Sequence, residues 1–149
     1  MEKKLQTIPM VQNLVVARYR DGKMIRGKTH DFGPQKKAFH VSTAEKHGKT
    51  VNGKVFEIHL SDLKAVFFVK SLEGRQDPPS HKGLGDEKLE APGFLKVKVT
   101  FFDGEILVGT THGYTPEREG FFIVPLERDS NNLRIFVISS AVEKVETWR

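Results

Sequence analysis

Six basic residues of the first half, Arg18, Arg20, Arg26, Lys28, Lys36 and Lys37, carry the side chains best suited to binding chemistry. Guanidinium and ammonium groups hold phosphates and carboxylates through charge-assisted hydrogen bonds. Beside an aromatic ring they make the arrangement that grips single-stranded nucleic acid, phosphate on the cation and base on the ring. Phe32 stands near Lys36 and Lys37, and Tyr114 near Arg118. Alternation along a hairpin puts Arg18, Arg20, Arg26 and Lys28 on one face, with Val15, Ala17, Tyr19 and Ile25 on the other. These six cations are the candidate anion or nucleic-acid face. The same pattern also describes the solvated exterior of an ordinary sheet.

The remaining polar residues give weaker signals. His30 and His112 each follow a Thr. They read either as a paired ligand site or as strand ends whose rings bond to backbone, and no Asp/Glu/His cluster accompanies them at metal-ligand spacing. His40 and His59 read as surface or partly buried. Asp21 and Asp103 each precede a Gly, the position of a turn former rather than of a catalytic carboxylate. Asp129-Ser130-Asn131-Asn132 suits a hairpin loop, and also a loop that binds a cation or carries recognition. No phosphate loop, dinucleotide fingerprint, nucleophile elbow or zinc-peptidase motif is present. The chain has no Cys, which removes thiolate catalysis, disulfides and Cys-ligated zinc. The expectation is a non-enzyme with no catalytic residue, no metal and no cofactor.

Charge is distributed unevenly. Residues 1–70 hold 14 Lys/Arg against 6 Asp/Glu, a net +8, whereas 71–93 carry −2 and 94–149 carry −1. A basic module attracts nucleic acid, acidic protein or anionic lipid. Hydrophobic residues make up 38% of the chain and charged residues 29%, the balance of a globular chain rather than a disordered one. Met1–Lys4 is followed by an apolar stretch broken by Gln6, Pro9, Gln12 and Asn13, so no leader and no membrane span is expected. With no Cys, the expected location is the cytoplasm.

The elements that must position these residues repeat. Displacing the chain by 82 residues puts Val15 on Val97, Asp21-Gly22 on Asp103-Gly104, Gly27 on Gly109, Thr29-His30 on Thr111-His112, Pro34 on Pro116 and Phe39 on Phe121. At a displacement of 79, Phe56, Ile58, Ser61, Leu63 and Val66 fall on Ile135, Val137, Ser140, Val142 and Val145. A period of this length marks a duplicated structural unit. Asp-Gly between apolar runs is a strong hairpin signal, and a mid-strand Gly marks a bulge or sharp bend. The pattern predicts five strands per copy: Leu14–Arg20, Lys23–Thr29, Ala38–Ser42, Val55–Leu60 and Ala65–Lys70 in the first, and Leu95–Phe102, Glu105–Thr111, Gly120–Pro125, Leu133–Ile138 and Glu143–Trp148 in the second. Ser71–Gly93, with three Pro and four Gly, reads as a linker. The expected division is 1–70, linker 71–93, and 94–149.

Asp21, Gly22, Gly27 and Phe32, matched by Asp103, Gly104, Gly109 and Tyr114, resemble the first signature of the Sm-like and SH3-like small barrels. The resemblance implies two tandem five-stranded barrels. The Asp and Met-Asn pair of Sm-type RNA pockets are not matched. Val66–Gly74, Phe101–Thr111 and Gly120–Pro125 also resemble phrases of a family of uncharacterised bacterial proteins, which implies a setting beside signalling domains. The expectation is an all-β, non-catalytic binding or adaptor module with a protein partner in bacterial signalling. RNA binding through the basic face of the first copy is the alternative. Copies of about 55–60 residues have marginal cores, so they are expected to pack together or form a homo-oligomer.

Overall fold

The computed structural model describes residues 13–43, 45–46, 49–50, 54–72, 94–112, 114, 117–127 and 129–148. From residue 73 on, the expected linker lies outside the described residues, as do 44, 47–48 and 51–53 of the inner loop.

Among the described residues the chain is all-β. The strands are β1 Asn13–Tyr19, β2 Met24–Thr29, β3 Ala38–Ser42, β4 Glu45–Lys46, β5 Lys49–Thr50, β6 Val55–His59, β7 Leu63–Val69, β8 Leu95–Phe101, β9 Ile106–Thr111, β10 Gly120–Pro125, β11 Asn132–Ile138 and β12 Val142–Trp148. Single 3-10 turns at Leu60–Asp62 and Ser139–Ala141 lead into β7 and β12. Asp-Gly makes the first hairpin of each half: Gly22 and Gly104 hold φ of 97° and 96°, which favours glycine. The Asp21 and Asp103 carboxylates accept the amides of Lys23 and Glu105 at 3.0 and 2.9 Å, so each Asp closes its own turn.

Ten strands form one antiparallel sheet in the order β12-β8-β9-β10-β11-β7-β1-β2-β3-β6, and β4 pairs only with β5. The strands expected for two five-stranded barrels are joined in this one sheet, because β7 pairs with β11 across the middle. The reason is legible in β7 itself. Its sequence, LKAVFFV, does not alternate, and all seven residues are buried. A strand apolar on both faces needs cover on both faces.

The pairings on either side of that seam correspond residue for residue. Val15 faces Gly27 as Val97 faces Gly109. Phe39 faces Ile58 as Phe121 faces Val137. Lys28 faces Ser42 as Thr110 faces Val124. The bulges correspond too: the β1–β7 ladder skips Lys64, and the β8–β12 ladder skips Glu143. At Gly27 and Gly109 the neighbouring strand crosses so closely that a Cβ would collide with the Ser42 or Val124 carbonyl.

Two cores lie on opposite faces of the central strands. One gathers Val15, Ala17, Phe39, Val41, Ile58, Leu60, Leu63, Val66 and Phe68 of the first half with Phe136 and Ile138 of the second. The other gathers Val97, Val99, Phe101, Phe121, Ile123, Ile135 and Val137 with Ala65, Phe67 and Val69. Successive residues of β7 and β11 serve alternate cores, so each half supplies part of the other's interior.

Candidate functional site

Lys64 stands at the seam. As the bulged residue of β7 it escapes the ladder, and its side chain is 5% exposed. Its ammonium donates to Asp103 at 2.7 Å and to Glu105, both from the β8–β9 hairpin, and sits 4.7 Å above the Phe101 ring. The hydrogen bond from Lys64 is the main reason the Asp103 carboxyl lies below its usual range. Arg18 pairs with Glu105 at 3.4 Å and lies over Phe67. Arg20 donates to Ser140 Oγ and, at 3.4 Å, to the Leu63 carbonyl. Around Lys64 and Arg20 a cavity of about 270 Å³ is walled by Phe101, Phe102, Asp103 and Ala141. Its cations are already met by carboxylates, a hydroxyl and a carbonyl, so the arrangement is a polar tie between the halves.

The expected basic face is divided by this arrangement. Arg18, Arg26 and Lys28 do share one face, across the ladder from Met24, Val16 and Leu14 respectively, which lie on the same face. Arg18 and Arg20 are drawn into the seam, and Arg26 reaches the Leu72 carbonyl at 3.4 Å. Lys36, in the Pro turn, donates to the Asp31 carbonyl at 3.0 Å. Lys37 is exposed nearby. Phe32 meets Phe39, Phe68, Phe122 and Phe136 edge-on at 5.1–6.2 Å, and Tyr114 meets Phe121 at 4.8 Å, so both rings are packing elements rather than open stacking platforms.

Among the described residues the histidines are not brought together. His30 is exposed, His112 meets Phe94 edge-on, and His59 lies 4.0 Å from Glu57. His40 binds Asp31 through both its ring, at 2.7 Å, and its amide, at 2.9 Å. Burial pushes the Asp31 carboxyl up, but the His40 amide and ring and the Thr29 hydroxyl more than offset it, and the carboxyl falls to about 2. Among the described residues no group of three or more His, Asp or Glu could hold a metal. The Asx loop closes on protein: Asn131 donates to the Ser71 carbonyl at 3.0 Å and accepts from the Lys70 amide at 2.9 Å.

A surface that the charge count hides lies on the outer face of the second half. Residues directly opposite in a ladder share a face. Trp148 faces Lys96, Glu146 faces Lys98 and Lys144 faces Thr100 across β12–β8; Lys98 faces Val108 and Thr100 faces Ile106 across β8–β9. Ile106, Val108, Val124 and Trp148 are 40–49% exposed. Glu146 pairs with Lys98 at 3.9 Å and Lys144 at 3.8 Å. In the first half the same β1 and β7 positions are Leu14, Val16, Ala65, Phe67 and Val69, covered by the other half, while the β2 positions are the exposed Met24 and Arg26. The alternation Lys96-Val97-Lys98-Val99 was the available sequence signal, masked by the half's net negative charge.

The chain belongs to a family of unknown function, DUF6982, whose model matches residues 11–148. No curated protein and no solved structure matches it. Among the described residues no helix is long and apolar enough to cross a membrane.

Proposed function

We propose that this member of the family is a non-catalytic binding module, built from two copies of a small Sm- or SH3-like five-stranded unit and acting on a protein partner as an adaptor in cytoplasmic bacterial signalling. The duplication is supported by the register correspondence and the shared bulge. The observation that carries the protein-binding reading is the contrast between the two outer sheet faces. The β1 and β7 positions of the first are covered at the seam and its β2 row carries Met24, Arg26 and Lys28, while the second presents the apolar side chains Ile106, Val108 and Trp148 to solvent. Clustered exposed apolar residues rimmed by charge are the mark of a protein-interaction surface.

The nucleic-acid alternative loses support because Arg18 and Arg20 are committed to Glu105 and Ser140, and Phe32 to its ring cluster. The test is a salt-dependent gel shift with RNA and DNA, repeated with Arg26→Glu and Lys28→Glu. The protein reading expects no shift even at low salt. A shift that these charge reversals abolish and that weakens steeply with salt would overturn it.

A further inference from the structure

We infer that the outer face of the second half takes an extended protein segment that presents both acidic and apolar residues on one of its faces. The inference rests on the protein-binding reading above and gives that partner its chemistry. Three lysines, Lys96, Lys98 and Lys144, share this face with one carboxylate, Glu146. Glu146 bridges two of them, so the cluster keeps a net positive charge. Beside the lysines Ile106 and Val108 stand on β9, and Trp148 closes the corner on β12. A segment laid across it must meet cations with carboxylates and cover the apolar row, because an apolar strand would bury the lysines unpaired and a purely acidic one would leave the row wet. In the first half the corresponding β1 and β7 positions are covered by protein. There the cover is apolar, matching Leu14, Val16 and Phe67. With Lys96, Lys98 and Glu146 in those three places, the partner is a different one, of opposite charge.

Trp148 is the chain's single tryptophan, so its fluorescence reports this face without labelling. The probes are a short synthetic peptide of repeated Glu-Ser-Leu-Ser, which puts Glu and Leu on one face of an extended chain, the same peptide with Lys for Glu, the same with Ser for Leu, and an oligothymidylate. The Glu/Leu peptide is expected to change Trp148 emission saturably, with affinity falling as salt rises. Replacing Leu by Ser or Glu by Lys, or introducing Lys96→Glu with Lys98→Glu, is expected to weaken binding by about tenfold or more. Val108→Ser, which leaves the ladder intact, is expected to weaken the Glu/Leu peptide and not the Glu/Ser one. Equal binding of the Lys/Leu peptide, binding of oligothymidylate alone, or no change in Trp148 would overturn the inference. A partner captured in cells and kept by the Lys96/Lys98 variant would overturn this site while leaving the protein-binding reading standing.

Discussion

The Lys64 ammonium lies 2.7 Å from the Asp103 carboxylate, which ties the bulge of one half to the hairpin turn of the other. A lysine so enclosed is costly unless its charge is met. Asp103→Asn with Glu105→Gln is therefore expected to cost about 3 kcal/mol in urea denaturation, while Lys64→Met, which removes the charge and keeps the packing on Phe101, is expected to cost less than about 1 kcal/mol. The order of the two matters most. If Lys64→Met is the worse, the tie is not electrostatic.

Acid should loosen the molecule in a defined window. Asp31 and Asp103 are both more acidic folded than unfolded. Their stabilisation is present above the unfolded value of 3.8 and is lost as the pH falls through the folded values, which for Asp31 is about 2. Asp31→Asn should cost about 1 kcal/mol near neutrality, allowing for solvent screening, and the difference from wild type should shrink between about pH 4 and 2. A difference independent of pH would mean that the His40 contacts do not hold this carboxylate ionised.

Phe67 belongs to the first half by sequence and to the second half's core by position. Phe67→Ala should cost about 3–5 kcal/mol. It should also move the unfolding midpoint seen by Trp148 fluorescence as far as the midpoint seen by circular dichroism. Two separated transitions would show halves that fold alone.

What the sequence made legible follows from local chemistry. Asp-Gly turns, mid-strand glycines and alternating strands depend on near neighbours, so the ten main strands appear within a few residues of their expected ends. The joining of the halves is a long-range event. Its signs were the unbroken apolar run Ala65–Val69 and the failure of Phe136 to match a counterpart of its own kind, since position 57 is Glu. The outer face of the second half was hidden for a similar reason. Net charge drew attention to Arg18, which the seam pairs with Glu105, and to Arg20, which donates to Ser140, and away from Lys96 and Lys98, whose half is acidic overall.

The two outer edges explain why two halves make a unit. Where β11 offers Phe136 and Ile138 to the seam, β6 has Glu57 and His59. Where β7 offers Ala65 and Phe67, β12 has Lys144 and Glu146. Charged residues on an edge strand discourage further pairing. Wild type is expected to run as a monomer in light scattering. Glu57→Phe and His59→Ile combined with Lys144→Ala and Glu146→Phe should produce concentration-dependent oligomers. A wild-type oligomer would contradict this account of the edges.

The most direct measurement is photo-crosslinking from two corresponding positions. A photoreactive residue replaces Val108 on the outer face of the second half in one variant, and Arg26 on the basic face of the first half in another. Both are expressed in the native cell. The account predicts a discrete protein adduct from position 108 and none from position 26. Nucleic-acid or protein adducts from position 26 alone would contradict it.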